Sequence, residues 1–353
     1  MKATISDLWH KFCASNRFAQ LRQLIPDEVI NCLYHFPIAA AAAIWYRYPA
    51  RDLIVIGVTG TSGKTTTTHL IFNILKRSSL SVSMISTIRA VIGTKVYDTG
   101  LHVTNPEPFL LQKLISEARA SGSKYLVLEM TSHGLSQFRN FGTNLMISVV
   151  TNVSHEHLDY HKTMKNYVLA KSRILKNVKY SILNKDDKNF RVLKNLSSGR
   201  LLTFGMIRRA DFSLKTFPFT TKLPGVYNKY NCLAAVAVTK MLGISDDIIR
   251  EGLRKFPGIP GRMEEVKAGQ KFRIFIDFAH KPDAIKNVLE TARKKTKKRV
   301  IIIFGSAGLR DKTKRPIMGE IAGKIANMSV LTAEDPRTEN VNTIINQLAK
   351  GEK

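Results

Sequence analysis

The stretch Thr59-Gly60-Thr61-Ser62-Gly63-Lys64-Thr65 carries the residue types a nucleotide phosphate requires. It follows an apolar, strand-like run, Leu53–Val58, and precedes a helical pattern over Lys64–Arg77. A glycine-rich turn between strand and helix points backbone N–H groups at an anion, and the helix dipole favours negative charge there. The spacing predicts that Gly60, Thr61, Ser62, Gly63, Lys64, Thr65 and Thr66 cradle phosphates. Lys64 would reach the outer phosphates and the Thr65 hydroxyl would ligate magnesium. The strict pattern wants a glycine five residues before Gly63, where this chain has Val58, so the loop is a variant.

Two further stretches bear chemistry. In "LVLEMTSHGLSQFRN" Glu129 ends a buried apolar strand, where a carboxylate suits a hard cation such as magnesium. In "TNVSHEHLDYHKTMKNYVLAKSRIL" a strand end gives way to His155, His157, Asp159 and His161. Three histidines in seven residues invite a zinc reading, but no cysteine or glutamate stands at partner spacing. Lys171 follows on a helix whose inner face is otherwise apolar. A lone lysine there ordinarily snorkels to the surface.

These groups need a scaffold, and the chain alternates strand-like and helical patterns from Arg51 onward. Strands are expected at Leu53–Val58, Val82–Ile85, Tyr125–Glu129, Met146–Thr151 and Tyr180–Leu183. Helices are expected over Lys64–Arg77, Glu107–Ala120, Thr163–Asn177 and Asn228–Leu242. Such alternation predicts an α/β fold, a mostly parallel sheet with helices on both faces. Prolines and glycines cluster in "FPGIPGRMEEV" as a linker would. Beyond it about three more β/α units begin at "FRIFIDFAH", "RVIIIFGSAG" and "SVLTAED". The expected organisation is a short N-terminal helical segment over residues 1–50, a central domain over 51–257 and a C-terminal domain over 258–353.

Composition bounds the rest. The 44% hydrophobic content is that of a globular protein with a sizeable core. Cys13, Cys32 and Cys232 are widely spaced, which argues against a disulfide framework and fits a reducing cytoplasm. The charge is +28, from 55 basic and 27 acidic residues. Such a surplus suits polyanionic partners or a lysine-rich solvated surface equally. No aromatic-interleaved basic stretch marks specific nucleic-acid binding, and "RKKTKKR" (Arg293–Arg299) reads as a basic helix C-terminus. The apolar segment Leu33–Tyr48 is shorter than the ~20 residues a bilayer span needs, so no span is predicted. Its Trp45, Tyr46 and Tyr48 beside Arg47 suit either an interfacial helix or packing on the next domain.

The blocks "GVTGTSGKTTT", "EMTSHGLSQFR", "TNVSHEHLDYHKTMKNYVLAKSRIL", "PGVYNKYNCLAAVAV", "GIPGRMEEV", "IFIDFAHKPDAI" and "GLRDKTKRPIMGEIA" resemble the Mur ligase family, in that family's order. The resemblance covers about residues 53 to 345. It implies a central P-loop-type parallel-sheet ATPase domain followed by a Rossmann-like α/β domain, here cut short. It implies ATP and magnesium, a muramoyl-peptide substrate, a free amino acid, and amide ligation through an acyl phosphate in the cytoplasm. Lys64, Thr65, Glu129 and His157 would serve phosphates and metal. Lys171 matches the lysine this family carbamylates. Asn228, Asn231, Arg262 and Asp277 match nucleotide-binding positions. Thr104, Asn105, Thr131, Gln137 and Arg139 match positions on the muramoyl-peptide, and Arg337 matches the arginine that grips the amino acid's carboxylate.

The resemblance also has departures. Residues 1–50 are shorter than the domain that holds the uridine nucleotide in the family, which leaves UDP-linked and lipid-linked donors both open. The family's Asp-Asn-Pro-Arg is Glu334-Asp335-Pro336-Arg337 here, so an amide has become a carboxylate. Lys281 follows "DFAH" and adds a cation near the expected phosphates. The alternative reading is a catalytically degenerate, nucleotide-binding homologue acting as a partner protein.

Overall fold

The computed structural model of the chain describes residues 26–98 and 104–352. Cys13 and the first half of the expected N-terminal segment lie outside the described residues.

Apolar runs without alternation fold into the middle of a sheet covered on both faces. β1 (Ile54–Thr59), β5 (Tyr125–Glu129) and β6 (Leu145–Val150) are such runs, and each ends buried. With β2 (Val82–Ile85), β3 (Arg89–Ile92), β4 (Lys95–Asp98), β7 (Tyr180–Asn184) and β8 (Arg200–Phe204) they form one eight-stranded sheet, ordered β4-β3-β2-β5-β1-β6-β7-β8. Strands β2, β5, β1, β6, β7 and β8 run parallel; β3 and β4 add an antiparallel edge. The register sets Val58 opposite Glu129. From β1 the chain crosses to β2 on one side and later continues to β6, β7 and β8 on the other. The crevice at the ends of β1, β5 and β6 is therefore a topological switch point, where open α/β sheets bind ligands.

The period-2 alternation of the strands divides the core into two layers. Ile56, Val58, Val127 and Val149 face the helices Lys64–Arg77 and Val226–Met241, through Leu70, Ile74, Leu233 and Ala237. Val55, Leu126, Leu128 and Val150 face Leu111, Ile115, Tyr167 and Ile174 on the opposite side. The helix expected over Thr163–Asn177 stops earlier, at Met164–Ser172, and tightens into a 3₁₀ turn over Arg173–Leu175.

The C-terminal part has the three strand–helix units expected, but their strands do not join one sheet. β10 (Ile274–Ile276) pairs antiparallel with β9 (Glu264–Val266), while β11 (Ile301–Phe304) and β12 (Met328–Leu331) form a separate parallel pair. A tight turn explains the difference: Gly269 has φ +78°, and Gln270 accepts from Ala268 N and donates to Val266 O. The local hairpin closes at little loop entropy, whereas a β10–β11 pairing must span a helix. Helices Pro282–Lys294, Lys314–Ile325 and Val341–Ala349 cover one face of β11 and β12 around Leu289, Met318 and Leu348. Arg293, in the basic run, donates to the carbonyls of Lys298 and Ile325, a local structural role.

Arg315 is fully buried and ties this part together. Its guanidinium donates to both carboxylate oxygens of Glu339 at 2.8 and 2.9 Å, to Gln347 and to the carbonyl of Ala307. These bonds hold the Glu339 carboxyl far below the usual range. Glu339→Gln leaves that cation buried without its counter-charge and should lower stability by about 3 kcal/mol, read as a drop in denaturant midpoint. The same depressed carboxyl stabilises the fold above its unfolded value. That contribution should fade as pH falls toward the folded one.

At the other end, one continuous helix spans Asp27–Trp45, with a π-helical turn over Asn31–His35. By length and composition it could cross a membrane, beyond the shorter apolar segment the sequence marks, yet only 22% of its most apolar window is buried. Ala39, Ala42 and Ala43 pack inward, the helix lies against Pro108–Ala120, and Asn31 Nδ2 donates to the Tyr160 hydroxyl at 3.3 Å.

Candidate functional site

The loop after β1 turns on two glycines. Gly63 has φ +83°, which a side chain resists, and a Cβ there would lie 2.1 Å from Asn231 Oδ1. A Cβ on Gly60 would lie 1.9 Å from Thr151 Oγ1. The end of β6 braces the loop. Thr61 N donates to Asn152 O, Ser62 N to Asn152 Oδ1, and Thr151 Oγ1 to Ser62 O at 2.6 Å.

Three lysines converge on two carbonyls of this loop. Lys64 Nζ donates to Gly60 O at 3.0 Å and Thr61 O at 3.1 Å; Lys171 Nζ donates to Gly60 O at 2.8 Å; Lys281 Nζ donates to Thr61 O at 3.2 Å. Lys281 comes from the C-terminal part, 220 residues from Thr61. Lys171 and Lys281 are buried and Lys64 is half-buried; desolvation pushes all three below their ordinary range, reinforced by neighbouring lysines at Lys171 and Lys281 and by Arg262 at Lys64. For Lys281 the value falls to about 7. Glu156 supplies acid nearby, 3.9 Å from Lys281 and 3.6 Å from Lys314. Its Oε2 has no hydrogen-bond partner. Buried cations in this excess call for an anion.

Beside them stands an oxygen-rich corner. Thr65 Oγ1 donates to Glu129 Oε1 at 2.9 Å, and Glu129 also accepts from Thr87 N and Thr87 Oγ1. Glu129 is 1% exposed. A hydroxyl and a carboxylate this close form the donor set a hard divalent ion prefers, with a phosphate at the loop to complete it. The residues present thus fit magnesium.

His133, His157 and His161 form a packed group, with His133 ring centroids 4.7 Å from His157 and 5.4 Å from His161. Desolvation, then neighbouring cations, lowers all three: His133 to about 4, His161 to about 3 and His157 well below the usual range. They stay neutral at physiological pH, and neutral imidazole is the form able to meet a metal. His155 points away, 3.8 Å from Asp311. Among the described residues no group of three or more His, Cys, Asp or Glu side chains is arranged to hold a metal alone.

Of the sequence-derived site residues, all but Gly60, His155, His161 and Lys171 line one cleft of ≈ 1020 Å³ between the two α/β parts; Gly60 belongs to the loop and Lys171 bonds to its carbonyl. On one wall Asn105 Oδ1 accepts from Thr131 N and Oγ1, Thr104 Oγ1 accepts from Thr87 Oγ1, and Arg139 donates to Gln137 Oε1 and Asn105 O. On another, Asn231 donates to Asn228, itself tied to Pro224 O, and Asp277 accepts from Met263 N. Arg262 reaches across to Thr65 Oγ1 at 3.5 Å and stacks on Phe278. Arg337, with φ +52°, sits at the rim, its Nε 3.5 Å from Asp335 Oδ2. The Asp335 carboxylate thus faces that guanidinium at the surface.

Sequence reasoning passed over His133 and Lys314, and discounted Glu156 as a minor departure that keeps its hydrogen-bonding capacity. His133 lay in a quoted motif, but its convergence with His157 is a tertiary fact.

A strand, glycine loop and helix at a switch point, closed over by a second α/β part carrying basic groups, define a multi-domain phosphate-binding α/β protein. Residues 58–239 match the Mur ligase middle domain, and residues 261–353 match the Mur ligase, glutamate ligase domain. The chain belongs to the Mur ligase family. It is 38% identical to UDP-N-acetylmuramoyl-L-alanyl-D-glutamate--2,6-diaminopimelate ligase 1 of Clostridium acetobutylicum, over 93% of this chain and 73% of that protein. It is 39% identical to the corresponding ligase of Caldanaerobacter subterraneus, over 89% of this chain and 69% of the relative. The Aquifex aeolicus ligase shares 38% identity, over 86% of this chain and 66% of its own length. The chain therefore spans about two thirds to three quarters of these relatives. A solved structure of a 2,6-diaminopimelate ligase superposes with TM-score 0.62 at 28% identity, covering 85% of this chain and 66% of that one. A folylpolyglutamate synthase of Mycobacterium tuberculosis shares the fold, with TM-score 0.71 at 15% identity, over 90% and 84% of the two chains.

Proposed function

We propose that this protein is an ATP-dependent amide-bond ligase that adds the third amino acid to a muramoyl-dipeptide in peptidoglycan synthesis. The observation that carries the reading is the convergence of Lys64, Lys171 and Lys281 on Gly60 and Thr61, beside the Thr65–Glu129 pair. It occurs in a chain about as similar to three diaminopimelate ligases as those percentages state. The need for ATP supports a cytoplasmic setting.

The reaction has two steps. A carboxylate oxygen of the dipeptide attacks the γ-phosphorus, the bond to the bridging oxygen breaks, and ADP leaves an acyl phosphate behind. The amino acid's amine then attacks the acyl carbon, the bond to the phosphate oxygen breaks, and inorganic phosphate departs with the proton the nitrogen gives up as the amide forms. Lys64 and Lys281 neutralise charge that shifts between the phosphates, and Arg262 does so from the opposite wall. Asn228, Asn231 and Asp277 would hold the nucleoside end. Thr104, Asn105, Thr131, Gln137 and Arg139 would orient the muramoyl-peptide, and Arg337 the incoming carboxylate. Magnesium, held by Thr65 and Glu129 with a further position near His157, would supply electrostatic stabilisation of the transferring phosphoryl group. The lowering of Lys171 by burial and the neighbouring lysines favours the neutral amine that addition to CO₂ requires; the product is a carbamate and a released proton. The new anion would then sit between Lys64 and Lys281, where a cation is disfavoured.

Phosphate release measured with ATP, Mg²⁺, UDP-muramoyl-dipeptide and either diaminopimelate or lysine tests the reading. Turnover that depends on one amino acid supports it. ATP binding with no amino-acid-dependent turnover, for UDP-linked and lipid-linked donors alike, would leave the degenerate homologue standing instead.

Lys281 makes a separate prediction. Its value of about 7 in the free cleft must rise when a polyphosphate binds, so binding above pH 7 takes up a proton. Nucleotide affinity should fall by up to about tenfold per pH unit above 7 from this group. Lys281→Met should flatten that slope, as calorimetry in buffers of different ionisation enthalpy would record.

A further inference from the structure

We infer that the outward face of the Asp27–Trp45 helix docks on an anionic bilayer surface, holding the protein at the membrane without spanning it. Between Val29 and Trp45 the helix has no Lys, Arg, Asp or Glu. Val29, Leu33, Phe36, Pro37, Ala41 and Ile44 recur at three- and four-residue spacing and are all exposed. Leu33 is 75% exposed, Ile44 60% and Trp45 74%. A helix of a soluble protein turns such a stripe inward. Here the inward face is a different one, made of Ala39, Ala42 and Ala43. The helix Pro108–Ala120 on which it packs exposes Phe109 and Leu110 as well.

Three observations favour a membrane surface as the occupant. The stripe ends in Trp45, Tyr46 and Tyr48 beside exposed Arg47 and Arg51, the amphipathic belt that sits at headgroup level. Exposed Lys162 and Lys165 lie just past Tyr160, which Asn31 contacts, so basic residues stand near both halves of the helix. The chain's charge of +28 repels a second copy and attracts anionic lipid. The Asn31–Tyr160 bond and the buried alanines fix the helix along the protein, which suits lying in an interface rather than crossing it. Tyr160 in turn packs on His133, 4.4 Å between centroids, at the edge of the cleft. The docking face and the cleft are thus two side chains apart.

The test uses the full chain carrying Trp9→Phe, which leaves Trp45 as its one tryptophan. Cosedimentation with phosphatidylglycerol-containing vesicles should exceed that with phosphatidylcholine vesicles, and Trp45 emission should shift to the blue. Leu33→Ser/Ile44→Ser should lower partitioning by about tenfold or more at an unchanged melting temperature. Should that double variant lose its melting transition, the Trp45 shift of the parent decides alone, and its absence sinks the inference. No vesicle binding at all overturns it. So does binding that the double variant leaves intact, which would be adsorption by charge or by another surface. A dimer that the double variant dissociates, with no lipid binding, would make the face a contact between copies instead.

Discussion

Lys171→Ala is expected to cut amino-acid-dependent phosphate release about a thousandfold, the size of losing one preorganised charge at a phosphoryl-transfer site, while leaving the fold intact. The side chain is 1% exposed, lies 4.6 Å from the Tyr167 ring and donates to the carbonyl of Gly60. As an ammonium it would be buried beside Lys64 and Lys281, and that burial, with the repulsion, drives its value well below the ordinary 10.5. Between the folded value and 10.5 the unfolded chain holds a proton that the folded chain lacks. The wild type therefore loses stability as pH falls through that window, and the alanine variant should lose this part of the slope. Its melting temperature at pH 7 should match or exceed the wild type's. Two further readouts separate a carbamate from a merely structural lysine. Wild-type activity should decline in CO₂-depleted buffer and return with bicarbonate, and a small carboxylate such as formate should restore part of the activity of Lys171→Ala by entering the vacated space. Full turnover by the alanine variant would remove Lys171 from the chemistry.

How much of this was legible in the sequence follows from the range of each interaction. β2, β5 and the helix Lys64–Arg77 stand where the pattern puts them, because an apolar run broken by a glycine loop is a local signal. The β3–β4 hairpin was not read. Each strand is four residues long and β4 is largely exposed, so neither shows enough alternation. The helix Asp246–Lys255 also went unread. It is ten residues long, buries Ile249, Gly252 and Leu253 and half-buries Ile248, so its apolar stripe is short.

The candidate site divides along the same line. Gly63, Lys64, Thr65 and Glu129 each announce themselves through neighbours in sequence. The meeting of Lys64, Lys171 and Lys281 on adjacent carbonyls does not, because it joins residues 111 and 220 positions apart. Lys171 looked like a surface lysine by helical periodicity alone, and the resemblance singled it out. Lys281 lies at the N-cap of the helix Pro282–Lys294, a place where a basic residue opposes the dipole. That local conflict is a second signal, beside the resemblance that already set Lys281 near the expected phosphates, since residues that break a local rule mark functional positions.

Glu129→Gln is expected to raise the magnesium concentration needed for half-maximal turnover by about ten- to a hundredfold, with turnover partly recovered in excess metal. The substitution keeps the shape and one acceptor oxygen of the side chain, so the bond from Thr87 N at 3.0 Å has a partner still. What it removes is the negative charge facing Thr65 Oγ1 and the cationic side chains around the loop. An amide oxygen is a weaker ligand for a hard divalent ion than a carboxylate, and it no longer offsets that positive field. In wild type, chelation with EDTA should stop phosphate release and restored magnesium should return it. In Glu129→Gln the same titration should run parallel but displaced. A change in ATP affinity at saturating magnesium with no displacement would assign Glu129 to loop architecture through Thr65 and Thr87. Turnover that survives chelation in either protein would take magnesium out of the reaction altogether.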